Sequence, residues 1–328
     1  MYGGQDYIAR ALDSIYSQGL DLEDFEVLVV DDACPDKTQN LVVEDYIAPG
    51  DDSHPTNLHL LTYADNRRQG GARNFGVAHS QGDWILYLDQ DDEFVVESLQ
   101  KLAELLKENS ELDLLMCNAG LLIEETGEWR PHHYPQRNKQ GLMTGEEFMV
   151  IQEVPWSPWY YAYSRKFIER IDLRFEEHVR FEDRDYVMRA TINADKIMFV
   201  PLDLYCHHEY ALQTTMIGND KQRIHDNIYM SDRCRVIAEK ERSSKPRGAE
   251  AIMNHYRYGY NAALKRYLWR LSANDIVEIL GKYPPPLKSG GLMMRLAAYP
   301  HLFAIISLSV RPILLSLWHL KRFLKKFN

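Results

Sequence analysis

Apolar and polar positions fall in blocks along the first part of the chain, and the blocks switch period. Phe25-Glu26-Val27-Leu28-Val29-Val30 and Trp84-Ile85-Leu86-Tyr87-Leu88 are short runs rich in β-branched or aromatic residues. Runs of this kind suit strands buried on both faces. Leu58–Thr62, Leu112–Cys117 and Leu121–Glu124 are further strand-like segments. Between them the apolar positions take helical spacing. Ile8, Leu12 and Ile15 share one face behind a candidate cap at Asp6, and Glu97–Asn109 reads as an amphipathic helix. Thr38–Tyr46, Arg73–Ser80 and Gly145–Gln152 complete the expected helices. Polar stretches at 48–56 and 127–141 predict a loop and a loop or hairpin. Strands and helices in alternation predict an α/β fold with a mostly parallel central sheet flanked by helices.

Both longer strand runs end in acid. Asp31-Asp32 closes the first, and Asp89-Gln90-Asp91-Asp92 the second. Ligands of open α/β sheets bind at the carboxyl ends of strands. Three like charges within four residues repel one another unless water or a cation screens them. Carboxylate oxygens at this spacing suit Mg2+ or Mn2+, hard cations that carry substrate phosphates. An exposed acidic turn after a strand accounts for the second run equally well when it is read alone. Asn66-Arg67-Arg68-Gln69-Gly70-Gly71-Ala72-Arg73-Asn74-Phe75-Gly76 lies between the two clusters. Its glycines permit a tight loop and its arginines suit a diphosphate, although an ordinary loop before a helix has the same composition. Pro155-Trp156-Ser157-Pro158-Trp159-Tyr160-Tyr161 is dense in aromatic rings, which serve either a sugar face or a core.

Taken in order, these stretches resemble family 2 glycosyltransferases of the GT-A (Rossmann-like) fold. The resemblance rests on Tyr7–Ile15 with Gln18, Val29-Val30-Asp31-Asp32, Gly71-Ala72-Arg73-Asn74-Phe75-Gly76 and Leu88-Asp89-Gln90-Asp91-Asp92, followed by Arg174-Phe175, Phe181-Glu182-Asp183 and Leu204-Tyr205. It implies an inverting transfer from a nucleotide sugar, a UDP-sugar first of all, to a hydroxyl of a glycan or lipid-linked acceptor in cell-surface polysaccharide biosynthesis. By the same resemblance Asp183 is the catalytic base. Asp31, Asp32, Arg73 and Asp89 bind the nucleotide. Asp89, Asp91 and His208 hold Mn2+ or Mg2+, with His207 as the other candidate of the histidine pair. Glu182 and Trp156 lie on the acceptor side. The arginine that the family often carries after Tyr205 is absent. A buried strand that precedes the first helix in the family is also missing, since only Met1–Asp6 stands there. Two other classes remain in view. One is a non-catalytic relative that binds nucleotide or partners. The other is a haloacid-dehalogenase-type phosphatase, which fits less well because Asp92-Glu93-Phe94 lacks the Thr or Val expected after its second aspartate.

Charge and length set the outer bounds. The 328 residues carry a net charge of −10, which argues against a general nucleic-acid binder. No acidic residue follows Glu278, whereas Lys282, Lys288, Arg295, Arg311, Lys321, Arg322, Lys325 and Lys326 are basic. The expected organisation is a catalytic domain over 1–215 (nucleotide-binding half 1–110, acceptor half 111–215), a helical extension over 216–285 and a basic amphipathic tail over 286–328. In that tail Ile313, Leu317, Leu320, Leu324 and Phe327 share one helical face, a pattern suited to an anionic membrane surface. Cys34, Cys117, Cys206 and Cys234 are too dispersed to form a metal-binding pair, and no secretory signal is read at the start. The expectation is therefore a cytoplasmic protein, peripheral at the inner face of the membrane.

Overall fold

The computed structural model describes residues 1–47, 55–132, 141–151, 154–210, 221–266, 271–286 and 291–309. Two units divide the chain, one of Met1–Thr215 with Ser244–Gly248, the other of Met216–Ser243 with Ala249–Asn328. The first unit opens with α1 (Ile8–Tyr16), whose Ile8, Ala11 and Leu12 are buried. Strand β1 (Val27–Asp31), helix α2 (Thr38–Val42) and strand β2 (Leu58–Thr62) follow. β1 and β2 form a parallel pair with Val29 opposite Leu60. Ile8, Leu12, Val27, Val29, Val42 and Leu58 make one small core behind it.

Helix α3 (Arg68–His79) leads to strand β3 (Trp84–Ile85), then β4 (Glu93–Phe94) and α4 (Ser98–Glu108). β5 (Leu114–Ile123) merges the two strands expected on either side of Asn118 into one. β6 (Glu128–His132) returns antiparallel to it, so the hairpin alternative holds as far as His132. Trp129 covers Gly120, where a Cβ would lie 1.9 Å from the indole ring, so only glycine fits opposite that ring. β7 (Leu142–Met143), α5 (Gly145–Ile151), β8 (Tyr161–Ser164), α6 (Arg165–Arg170), α7 (Glu182–Asn193) and β9 (Ile197–Glu209) complete the unit.

The second sheet runs β3-β8-β5-β9-β4, with β6 on β5 and β7 on β9. Its pairing corrects the expectation of a mostly parallel sheet. Only β5–β9 is parallel, and β3–β8, β4–β9, β5–β6, β5–β8 and β7–β9 are antiparallel. The reason is local: short hairpin and edge segments add themselves to the β5–β9 pair, and antiparallel partners need no helical crossover. The α/β class itself holds. No strand precedes α1 among the described residues, and none joins the two sheets there. Met1 nonetheless makes strand-like contacts: its N–H group donates to the Val30 carbonyl, and its own carbonyl accepts from the Asp32 N–H at 3.0 Å.

In the second unit α8 (Lys221–Glu241), α9 (Pro246–Arg266, begun in the first unit), α10 (Ala273–Lys282), α11 (Leu292–Ala297) and α12 (300–309) are helical. Tyr256, Tyr260 and Leu264 on α9 are buried, in keeping with their helical spacing. Ser272 caps α10, its Oγ accepting the Asp275 N–H at 3.2 Å. The amphipathic pattern from Ile313 onward lies outside the described residues.

Candidate active site

The carboxyl end of β1 is held by its own surroundings. Asp31 and Asp32 are both buried. Asp32 Oδ1 accepts the Tyr63 hydroxyl and the Arg67 N–H, each at 2.7 Å, while its carbonyl accepts Asn66 Nδ2 at 3.1 Å. Asp31 Oδ1 accepts the Cys34 N–H at 2.9 Å. Arg67 lies over the Tyr63 ring, 4.8 Å from its centroid. These contacts order a small concave rim from a strand end and the loop after β2.

The chain beyond β3 is arranged differently. Tyr87 leaves the ladder and packs among Tyr163, Phe175 and Tyr186, with its hydroxyl 2.7 Å from that of Tyr186. Phe175 stacks flat on Tyr186 at 3.6 Å. This aromatic layer fixes the backbone from which Asp89, Asp91 and Asp92 project. Burial, reinforced by the charges of Asp92 and Asp89, pushes the half-buried Asp91 carboxyl up to about 6. Asp92 is almost fully buried and satisfied: it accepts the Tyr205 hydroxyl at 2.7 Å and the His208 N–H at 2.8 Å, and it contacts His207 Nδ1 at 3.1 Å. The Tyr205 hydroxyl in turn accepts the Asp89 N–H at 3.1 Å. Trp159 stacks on Tyr205 at 4.2 Å and lies nearly parallel to His207.

Arg73 connects this rim to α7. Its guanidinium donates to Asp89 Oδ1 at 2.7 Å and to Glu182 Oε1 at 3.0 Å, with Phe175 beneath it. Burial opposes its charge, but Asp89 and Glu182 outweigh burial and raise its pKa. Gly70, one turn earlier on α3, lets that helix lie against the segment before α7, since a Cβ there would stand 2.4 Å from the Glu176 carbonyl. α7 starts after Phe181, which sits at φ 66°, and its first turn carries Glu182, Asp183 and Asp185. A helix N-terminus favours carboxylates. Burial still raises the pKa of both Glu182 and Asp183, against the pull of Arg73 and Arg184. Trp156 faces this turn through Arg184, whose guanidinium lies 4.3 Å from the indole and 5.0 Å from the Phe181 ring.

Thus Arg73 brings Asp89 and Glu182 together, and chain adjacency sets Asp91 and Asp183 beside them. Two residues read from sequence as ligands have partners within the chain. Arg73, read as nucleotide-binding, donates to Asp89 and Glu182. His208, expected beside Asp89 and Asp91, turns the other way: Nδ1 lies 2.6 Å from Glu124 and Nε2 3.3 Å from Glu93, with Arg10 bracing both carboxylates. His207, its neighbour, is the imidazole that meets the acid rim. Strand alternation explains the exchange, because successive side chains of β9 point to opposite faces. Tyr63 carried no signal of its own in the sequence, whereas Tyr205 stood in the ordered motifs and Trp159 in the aromatic-rich stretch without a role for either. Among the described residues, no group of three or more His, Cys, Asp or Glu side chains is arranged to hold a metal ion by itself. Asp89 and Asp91 do fit a cation that draws its other ligands from a diphosphate, as Mg2+ commonly does.

A mixed sheet with helices, an acid rim beside it and a Glu-Asp pair at a helix start define an α/β protein with a candidate site on one rim. The model of Glycosyl transferase family 2 matches residues 1–172, and the chain belongs to that family. It is 27% identical over 224 residues to the "Uncharacterized glycosyltransferase EpsJ" of Bacillus subtilis (strain 168), a match covering 66% of this chain and 61% of that protein. The structure of Staphylococcus aureus TarS 1–349 in complex with UDP-GlcNAc superposes with a TM-score of 0.70 at 18% identity, over 95% of this chain and 90% of that one. TarS is a poly(ribitol-phosphate) β-N-acetylglucosaminyltransferase. A mannosyltransferase from Pyrobaculum calidifontis, in complex with GDP-Man and Mn2+, superposes with a TM-score of 0.51 at 17% identity, over 95% of this chain and 84% of that one. These likenesses establish the GT-A fold.

Proposed function

We propose that the chain is a metal-dependent, inverting glycosyltransferase that moves a sugar from a nucleotide sugar to a hydroxyl of a glycan or lipid-linked acceptor. The donor nucleotide is UDP, and the setting is cell-surface polysaccharide synthesis at the cytoplasmic face of a membrane. The observation that carries the reading is the Arg73 bridge, which joins the acid rim at Asp89 to the Glu182-Asp183 turn. TarS, with UDP-GlcNAc bound in the same fold, supports the donor class. Asp31 and Asp32 hold the base and ribose. Asp89 and Asp91 hold the cation, with His207 beside them. Bound Mn2+ or Mg2+ neutralises charge on the departing diphosphate.

The protein's own groups then do the following. Asp183 Oδ takes the proton from the acceptor hydroxyl. That oxygen forms a bond to the anomeric carbon as the bond from that carbon to the diphosphate oxygen breaks, and the nucleoside diphosphate leaves with the electron pair. Arg73 keeps Asp89 and Glu182 paired, so that the aspartates meet the cation in a fixed orientation. Trp156 and Glu182 border the acceptor.

Thermal unfolding with and without UDP plus Mn2+ tests the binding half of this reading. A ligand that binds only the folded state raises the unfolding temperature. The expected result is an upward shift that needs both components, and no shift at saturating concentrations would overturn it.

A further inference from the structure

We infer that Arg10 of α1 is a positioning residue for the cation site, holding the peptide of Asp91 and so setting where that carboxylate points, a role that rests on the proposed reading of Asp89 and Asp91 as cation ligands. Arg10 and Ser14 are four residues apart and share one face of α1, and Gln18 continues the row just past its end. Each of the three reaches the backbone of the segment that carries the acid turn into β4. Arg10 Nη2 donates to the Asp91 carbonyl at 2.8 Å, Ser14 Oγ accepts the Phe94 N–H at 3.1 Å, and Gln18 Nε2 donates to the Val95 carbonyl at 3.1 Å. α1 is itself seated by the buried Ile8, Ala11 and Leu12. It therefore lies as a splint along residues 91–95.

Arg10 is the end of that row that meets the acid. Its guanidinium is fixed in turn: Nε lies 2.8 Å from Glu93 Oε1, Nη1 donates to Glu124 Oε1 at 2.9 Å, and Nη2 also donates to the Tyr210 hydroxyl. A planar fork held at two carboxylates has little freedom left in the direction of its remaining N–H. The neighbours of Asp91 are held by other means. Gln90 exchanges two hydrogen bonds of 2.8 Å with the backbone of Tyr2, and Asp92 is locked by Tyr205 and His208. Between them, Arg10 is the side chain that holds Asp91. A carboxylate one methylene from its peptide moves with that peptide, and outer partners of this kind orient the groups that bind a cation. Arg10 thus acts through Asp91 rather than as a ligand.

The test measures UDP binding to the full chain by titration calorimetry across a series of Mn2+ concentrations, beside thermal melts without metal. Arg10→Met removes the donors and keeps an apolar stem. Arg10→Lys keeps the charge without the planar fork, and is the milder variant should Arg10→Met not fold. His208→Ala is the control for damage to the same cluster, since it disturbs Glu93 and Glu124 without touching the Asp91 carbonyl. Arg10→Met is expected to weaken Mn2+-dependent UDP binding by about tenfold while leaving metal-free UDP binding unchanged, and Arg10→Lys to recover part of the loss. His208→Ala should bind UDP and Mn2+ as the parent does although it melts lower. Two results overturn the inference: parental Mn2+ dependence in the Arg10 variants, whatever their melting temperature, or an equal loss in His208→Ala. A parent whose UDP binding ignores Mn2+ overturns the reading of the cation site itself and the role of Arg10 with it, so the two failures are told apart.

Discussion

The two acidic clusters differ in how their charge is met. At β1, Asp32 is surrounded by donors from its own chain: the Tyr63 hydroxyl and the Arg67 N–H on its carboxylate, and Asn66 Nδ2 on its carbonyl. In the turn between β3 and β4, Asp91 stands beside Asp89 and Asp92 and is pushed up to about 6, mainly by burial and then by those neighbours. The first end is preorganised and stable without a ligand. The second holds repulsion that Arg73 on Asp89 relieves in part and that a cation, on the proposed reading, would relieve further. Functional sites commonly concentrate such shifts, since groups poised for chemistry are held where folding alone would not choose to put them. On the proposed reading the β1 end serves recognition, and the acid turn before β4, joined through Arg73 to Glu182 at the start of α7, serves chemistry.

The largest expected effect is at Asp183. Asp183→Asn removes the proton acceptor and should lower kcat by about 10²–10⁴-fold, with little change in metal-dependent UDP affinity. Rates near that of the parent would return Asp183 to the role of a helix-start acid. Because burial raises its pKa, the parent's transfer rate should climb with pH through that raised value and then level off. Stability runs the opposite way. A carboxyl whose folded pKa is raised contributes stability below its unfolded pKa and loses it as pH rises through the folded one. Glu182 and Asp183 both carry raised values, so the melting temperature of the parent should fall from the ordinary carboxylate range toward neutrality. Asp183→Asn should flatten that fall, which is read from melts across pH.

Asp91→Asn sharpens the contrast from the other side. Loss of one of two cation ligands should weaken Mn2+-dependent UDP binding by about 10–100-fold in titration calorimetry. Without metal, the variant should be at least as stable as the parent, because a repelling charge has gone. A variant destabilised to the same extent with and without metal would mean that Asp91 is a structural acid.

Much of this arrangement was legible from sequence, for physical reasons. The apolar run ending in Asp31-Asp32 marked a strand end because a buried run must surface somewhere, and charge marks where; the second run is strand only at Trp84–Ile85, and Asp89–Asp92 lies in the turn before β4. The Glu182-Asp183 turn was found through the ordered motifs. What pattern alone did not fix was partner choice across long separations. Arg73 carries nothing in its neighbourhood that names Glu182 as its partner. The mixed polarity of the sheet was missed because β4 and β7 have two residues each, below the length at which periodicity can be read. The exchange of His207 for His208 was within reach. Tyr205 and His207 share one face of a strand and His208 takes the other, a conclusion that needed only the assignment of β9 as a single strand.

The adjacent histidines also allow a finer test of the same contrast. His207 lies against Asp92 on the rim, whereas His208 sits between Glu93 and Glu124 beneath it, with only 2% of its side chain exposed. His208→Ala leaves two carboxylates to Arg10 alone and opens a gap in a closed interior, so about 1–3 kcal/mol of stability should be lost, with nucleotide affinity largely kept. His207→Ala removes a more exposed ring and should leave the melt nearly unchanged while reducing metal-dependent UDP affinity by about tenfold. The pair of measurements, a denaturant melt and a titration, should therefore cross over between neighbouring residues. If both variants weaken UDP binding equally, the face of β9 beneath the rim takes part in the site and the contrast drawn here dissolves. If neither does, Asp92 and Tyr205 position the Asp89 backbone without help from an imidazole.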